Sequence, residues 1–232
     1  MDYLKSNDVL VYLSDALTQL LKNRANYPTR EAAMGYLAEY FRTLKFGRHV
    51  LFRGIDFVMA TRHNRQSFVQ CAEYVMGPAD GRKASEASFG ITGGSTAELL
   101  SIADYHNCIA LICKDFPISL VLKAASMLVV EDGLECRLPF AEFVRAFKIQ
   151  MVYNEFLDEC RVVFKGLASR SRDGTVPSAA FLARIKTLST RGSVIPHPLI
   201  ERAVKGLDHP TDVMDVLHAL ARSPAVFDAA GQ

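Results

Sequence analysis

A proline at position 28 divides the first 47 residues into two amphipathic stripes, and this break limits what the chain can fold into more than any other feature. Val9, Tyr12, Leu13, Ala16, Leu17, Leu20 and Leu21 recur at i, i+3, i+4, i+7 and i+8, the apolar face of one helix. Asn7 or Asp8 stands where its N-cap belongs. Tyr27-Pro28 forces extended backbone, so this helix stops near Arg24. Thr29 then caps a second helix, which carries Ala33, Tyr36, Leu37, Tyr40, Phe41 and Leu44 on one face and ends near Gly47. Residues 1–47 therefore predict a helical hairpin. Two short helices have more apolar surface than one mutual seam covers, so the hairpin must pack on the rest of the chain or on a partner. Val9, Tyr12, Leu13, Ala16 and Leu20, with Leu37, Tyr40 and Phe41 opposite, form the candidate interface as well as an internal seam.

Residues 48–168 read as a second, mainly helical unit. Val50-Leu51-Phe52 and Ile55-Asp56-Phe57-Val58 are short apolar runs that suit extended backbone. Thr61 or Asn64 caps a helix bearing Phe68, Cys71, Ala72 and Val75. Gly77 to Thr96 is rich in glycine and poor in apolar residues, which predicts a mobile loop. A helix over Thr96 to Cys113 follows, then one opened by Asp115-Phe116-Pro117, with Asp at the cap and proline in the first turn. Beyond Asp132-Gly133, the period predicts one long helix from Phe140 to Phe164.

A repeat runs through this unit. Leu100-x-x-x-Asp104-Tyr105-x-x-Cys108-Ile109 recurs 38 residues later as Leu138-x-x-x-Glu142-Phe143-x-x-Ala146-Phe147. In an EF-hand, loop position 8 is an aliphatic residue that pairs with the sister loop, position 12 is an acid, and position 13 is an aromatic. Both units keep those three. With Glu142 as position 12, positions 1, 3, 5 and 6 fall on Glu131, Gly133, Glu135 and Cys136. A ligand is missing at Gly133, and the glycine of the sharp turn is replaced by Cys136. In the other unit, positions 1, 3 and 5 are Gly93, Ser95 and Ala97. The expected fold is mainly α: the hairpin, then degenerate EF-hand-like helix-loop-helix units that hold no metal.

The polar linker Ser169 to Gly174 opens a third segment, 169–232, with helices expected over Ser178 to Leu188, Pro198 to Leu207 and Thr211 to Arg222. These could make a second degenerate pair. A formal charge of +2 sets no strong field toward nucleic acid or an anionic membrane. Five cysteines, an odd set with no C-x-x-C, argue against a disulfide framework or zinc ribbon and for a reducing compartment. The start is polar and acidic, unlike a signal peptide, and the longest apolar run is broken by Lys123, so a soluble intracellular protein is expected.

Catalytic chemistry is not apparent. Ile91 to Thr96 resembles a phosphate loop but lacks its Gly-Lys-Ser/Thr ending. His63-Asn64-Arg65 reads as a helix cap with solvent-side neighbours. Cys108 and Cys113, at i and i+5, read as core cysteines. His106 and His218 read as partly buried histidines with no second ligand at i+4. No nucleophile elbow, zincin or kinase set occurs. The expectation is a non-catalytic protein with no cofactor and no metal.

Several phrases together resemble one eukaryotic family. They include Val9-Leu10-Val11-Tyr12-Leu13, Glu39-Tyr40-Phe41, His49-Val50-Leu51-Phe52-Arg53, Phe57-Val58-x-Ala60-Thr61-x-His63-Asn64-Arg65-x-Ser67-Phe68, Cys113-x-Asp115-Phe116-Pro117 and Glu155-Phe156-Leu157-Asp158. The chain resembles the centriolar satellite-associated tubulin polyglutamylase complex regulator family from Tyr3 to Phe164, most specifically over Phe57 to Phe68. That resemblance implies a regulatory or scaffold subunit that has other subunits of a tubulin-modifying complex as partners and meets microtubules indirectly. It implies an address in the cytoplasm and cytoskeleton, at the centrosome, centriolar satellites or ciliary base. The family's long acidic tail has no counterpart by Gln232. The hairpin separately looks like the dimerisation-docking module of protein kinase A regulatory subunits, which implies an amphipathic helix or a second docking hairpin as its occupant. The alternatives are a calcium-responsive EF-hand adaptor and a kinase-anchoring adaptor acting through the hairpin.

Overall fold

The computed structural model describes residues 8–77, 99–129, 133–171, 175–188, 193–207, 210 and 212–231. Among them the chain is mainly helical. The first helix, α1 (Val9–Lys22), passes through a 3-10 turn (Arg24–Asn26) into α2 (Arg30–Lys45), where the proline break places it. Thr29 caps α2 as expected, its Oγ1 accepting from the Ala32 N–H at 3.2 Å. Asp8 does occupy the N-cap position of α1. Its backbone is left-handed, φ 54°, and its side chain makes no capping bond. Gly47 ends the hairpin at φ +69°, which a residue with a Cβ adopts only under strain.

The junction departs from expectation. Residues 49–52 form turns, and Ile55–Met59 is a short helix, α3, rather than extended backbone. The cause lies elsewhere in the chain. Asp115, expected to cap its own helix, instead accepts from the Ile55 N–H at 3.1 and 3.2 Å and so caps α3 from 60 residues away. Its helix, α6 (Ile118–Ser126), starts after Pro117 with no side-chain cap. Thr61 caps α4 (Arg62–Met76) through the Asn64 N–H.

Strand β1 (Leu99–Ser101) replaces the start of the helix expected from Thr96. The helix itself, α5 (Ile102–Ala110), begins at a capping box made by Ser101 and Asp104. β1 pairs antiparallel with β2 (Arg137–Pro139), and the register sets Leu100 opposite Leu138. The next repeated positions also meet: Tyr105 stacks on Phe143 with ring centroids 3.9 Å apart, and its hydroxyl donates to the Leu138 carbonyl at 2.9 Å. Residues 78–98 and 130–132, which carry the predicted mobile loop, the phosphate-like phrase and Glu131, lie outside the described residues.

The predicted long helix is two helices, α7 (Phe140–Val152) and α8 (Asn154–Ala168), broken at Tyr153 with φ −113° and ψ 24°. The break lets one polypeptide run serve two cores. One core gathers α3–α7 around Phe68, Phe116, Phe143 and Phe147. The other gathers Ala146, Ile149 and Phe156 with α9 (Ser178–Ile185), α10 (His197–Ala203), α11 (Val213–Arg222) and α12 (Pro224–Gly231). Helix α12 was not foreseen. Cys108 and Cys113 are buried and not joined in a disulfide. His106 and His218 bond the Phe116 and Ser126 carbonyls at 2.9 and 3.1 Å. Among the described residues, no helix is long and apolar enough to cross a membrane, and no group of His, Cys, Asp or Glu is placed to hold a metal.

Candidate assembly surface

Helix α1 has two apolar lines, and they have different fates. Tyr12 and Ala16 turn inward with Tyr40 of α2 and form a small buried cluster against Tyr36, Leu37, Leu44 and Phe57. Leu10, Leu13, Leu17 and Leu21 run down the opposite side at i, i+3, i+7 and i+11, exposed by 48, 40, 44 and 69%. Met34, Phe41 and Phe46 add exposed apolar surface on α2 and at its C-cap. The eight candidate interface residues are thus divided. Tyr12, Ala16 and Tyr40 are buried, Val9, Leu20 and Leu37 are half-buried, and Leu13 and Phe41 face solvent. Full exposure of such a line forfeits roughly 25 cal/mol per Å² of apolar area left in water.

The inward side is fastened by polar contacts. Asp15 accepts from the Tyr40 hydroxyl at 2.7 Å and from both terminal nitrogens of Arg53, one at 2.8 Å. The Arg53 guanidinium also lies over the Phe57 ring, 4.1 Å from its centre. Burial, then the Asp15 bond, pushes the Tyr40 hydroxyl far above its ordinary pKa. The Tyr12 hydroxyl bonds Thr61 Oγ1 at 2.8 Å, so the residue that caps α4 also holds the hairpin. The Tyr12 ring stands edge-on to His49 and His63, whose imidazoles stack 5.2 Å apart.

His49 has a definable tautomer. Asn64 Nδ2 donates to the Phe57 carbonyl at 2.6 Å, which turns its Oδ1 toward His49 Nε2 at 2.8 Å. Nε2 therefore carries the proton, and Nδ1 is a bare, buried acceptor with no partner among the described residues. Burial holds the His49 pKa below its ordinary value, and neighbouring His63 and Arg53 push the same way against the Asn64 bond and Asp15.

The stretch Phe57 to Phe68 is the hub of these contacts. His63 is exposed, as a cap's neighbour should be, but Asn64 and Arg65 are buried, which corrects the solvent-side reading. Arg65 donates to the Met59 carbonyl at 2.8 and 3.0 Å and to both Glu155 oxygens at 2.6 and 2.7 Å. Burial is the largest single influence on Glu155 and raises its pKa, but the Arg65 bonds and charge, its own backbone N–H and Asn154 together outweigh it and hold the carboxylate below its ordinary range. Arg62 and Gln66 donate to the Ala229 and Ala230 carbonyls at 2.8 and 2.9 Å, satisfying the end of α12. Sequence reasoning missed this role because Glu155, Ala229 and Ala230 lie far along the chain. The dense run of non-apolar letters at 61–67 was the available signal.

Hairpin and body together make a helical protein whose N-terminal arm carries a long, uncovered leucine line. Residues 1–47 match the family model of the CSTPP1 N-terminal domain. The chain is 37% identical over 175 residues to the Homo sapiens protein named "Centriolar satellite-associated tubulin polyglutamylase complex regulator 1". It is 35% identical over 175 residues to the Bos taurus protein of that name, and 33% over 179 residues to that of Danio rerio. Each match covers 75% of this chain, which spans about half the length of these relatives, 48 or 49%. No solved structure matches the chain. By these matches the chain is similar, over three quarters of its length, to the centriolar satellite-associated tubulin polyglutamylase complex regulators, and its first 47 residues to their N-terminal domain.

Proposed function

We propose that this chain is a non-catalytic regulatory or scaffold subunit of a tubulin polyglutamylase complex, acting in microtubule and cilium organisation. Its place would be the cytoplasm and cytoskeleton, at centriolar satellites, the centrosome or the ciliary base, with other subunits of the complex as direct partners. The observation that carries this reading is the uncovered line Leu10, Leu13, Leu17 and Leu21, on the segment that matches the family's N-terminal domain. An apolar face of this kind marks a partner site more often than a free surface. Its dimensions suit an amphipathic helix or a second hairpin, the occupants that the docking-module likeness implies.

Residues 48–168 read best as a degenerate EF-hand-like pair serving as a rigid platform for the hairpin. The pairing of Leu100 with Leu138 and the stack of Tyr105 on Phe143 support this. Asp104 is already spent on its own capping box, and Gly133 offers no side-chain ligand. A calorimetric calcium titration without heat supports the platform reading; binding tighter than roughly 10⁻⁵ M favours a sensor.

Affinity purification of the tagged chain from cells tests the main proposal. Wild type should recover the glutamylase subunits, whereas Leu13→Asp and Phe41→Asp should lose them while circular dichroism stays unchanged. A polar change at an interface anchor typically costs at least ~2 kcal/mol of binding. Wild-type recovery by both variants would sink the interface, and recovery of anchored kinase subunits instead would favour the kinase-anchoring role.

A further inference from the structure

Between the inward side of the hairpin and the junction loop lies an open cleft of about 750 Å³, within the roughly 300–1,000 Å³ span of ligand sites. It is separate from the leucine line, none of whose four residues lines it. Tyr27, Tyr36 and Tyr40 line it as a ladder, with ring centres 4.8 and 6.4 Å apart along the series. Gln19 and Asn26 add amides, and Arg48 stands at the rim. Tyrosine, amides and arginine are the mixture that peptide-binding surfaces favour, since tyrosine gives large contact area at low entropy cost and amides adapt to backbone groups.

Charge selects the ligand. The acid that lines the cleft, Glu39, is engaged by Arg42 at 2.6 Å, and Arg53, which also lines it, is committed to Asp15. The Arg48 guanidinium is exposed and makes no hydrogen bond or ion pair among the described residues. The cleft therefore presents one uncommitted cationic fork, the geometry that takes a carboxylate in two parallel bonds. We propose that this cleft binds an acidic peptide segment, with a side-chain carboxylate on Arg48 and the peptide body on the tyrosine ladder. The inference rests on the chemistry of the cleft and not on the role assigned to the leucine line.

Fluorescence anisotropy on the full chain tests it, using a fluorescein-labelled ten-residue peptide of alternating glutamate and glycine. The expected result is saturable binding, weakened at least about fivefold when glutamine replaces glutamate, and as much by Arg48→Gln in the protein. Arg48→Lys, which keeps the charge and loses the fork, should fall between. Tyr27→Ala should weaken binding too, whereas Leu21→Ser, on the other face, should leave it unchanged. Equal affinity for the glutamate and glutamine peptides would overturn the proposal. So would full affinity in a folded Arg48→Gln variant, or no binding up to ~1 mM. None of these results bears on recovery of the complex through Leu13 and Phe41, so the two readings fail separately.

Discussion

In the hairpin, the buried cluster consists of Tyr12, Ala16 and Tyr40, and the attachments to the body run through Asp15, Arg53, Thr61 and two imidazoles. In the body, four aromatic rings, Phe68, Phe116, Phe147 and Phe143, pass contact from α4 through the α5–α6 corner to α7 with centroid spacings of 5.4 to 5.9 Å. Both regions are helical and both have amphipathic stripes. They differ in what covers the stripes. The body covers its own with other helices of the same chain, so its stability is dispersion and burial. The hairpin covers one stripe and leaves the other in water, so its position depends on a few directional bonds. Such an arm can detach locally at less cost than unfolding the body.

The largest effect should come from cutting the aromatic chain. Phe147→Ala removes a fully buried ring between Phe143 and Phe116 and should cost about 3–5 kcal/mol, lowering the global denaturation midpoint. Amide exchange should quicken throughout the body. If only the hairpin loosened, the division drawn above would be wrong.

Asp15→Asn comes next. It keeps the shape of the side chain but withdraws the charge that Arg53 answers, costing about 1–3 kcal/mol of hairpin attachment. Faster exchange confined to α1 and α2, with an unchanged body, is the expected pattern. A cooperative loss everywhere would show that the hairpin is an integral part of the body's core.

The hairpin's extent was legible because its signals are local: Pro28, the Thr29 cap and the left-handed Gly47 all act within a few residues. The Leu100 and Leu138 pairing was legible too, because a 38-residue repeat survives in the letters. The junction was not. Whether Ile55 to Val58 coils or extends is decided by Asp115, which no window around residue 55 contains. Arg65 was misplaced for the same reason, since Glu155 lies 90 residues away. The break at Tyr153 has neither proline nor glycine to announce it; two cores claim opposite ends of one apolar run.

Acid should separate the two regions in order. His49, at the hairpin joint, has its folded pKa below its ordinary value, so its neutral form is part of the fold. Its contribution is complete above the unfolded value of about 6.5 and declines as pH falls below that. Glu155, in the body, is also held low, so the Arg65 contact persists until pH falls through the carboxylate range. Exchange measured at descending pH should show α1 and α2 loosening first and α8 later. His49→Gln should remove the first phase; an unchanged first phase in that variant would assign it to another group.

The smallest effect belongs to the uncovered line. Leu13→Asp and Leu17→Asp replace residues that are 40 and 44% exposed, so little burial is lost. The remaining cost is the lower helix propensity of aspartate, about 0.5 kcal/mol, with no cavity and no stranded hydrogen bond to enlarge it. Chemical denaturation of the isolated chain should therefore give midpoints close to wild type. A loss of about 2 kcal/mol or more would mean that these leucines are covered within the chain or by a second copy already present in the sample. Repeating the titration at tenfold dilution distinguishes the two, since only the contribution of a second copy falls with concentration. A near-neutral result at every concentration, together with loss of the complex in cells, would leave an external partner as the group that covers the line.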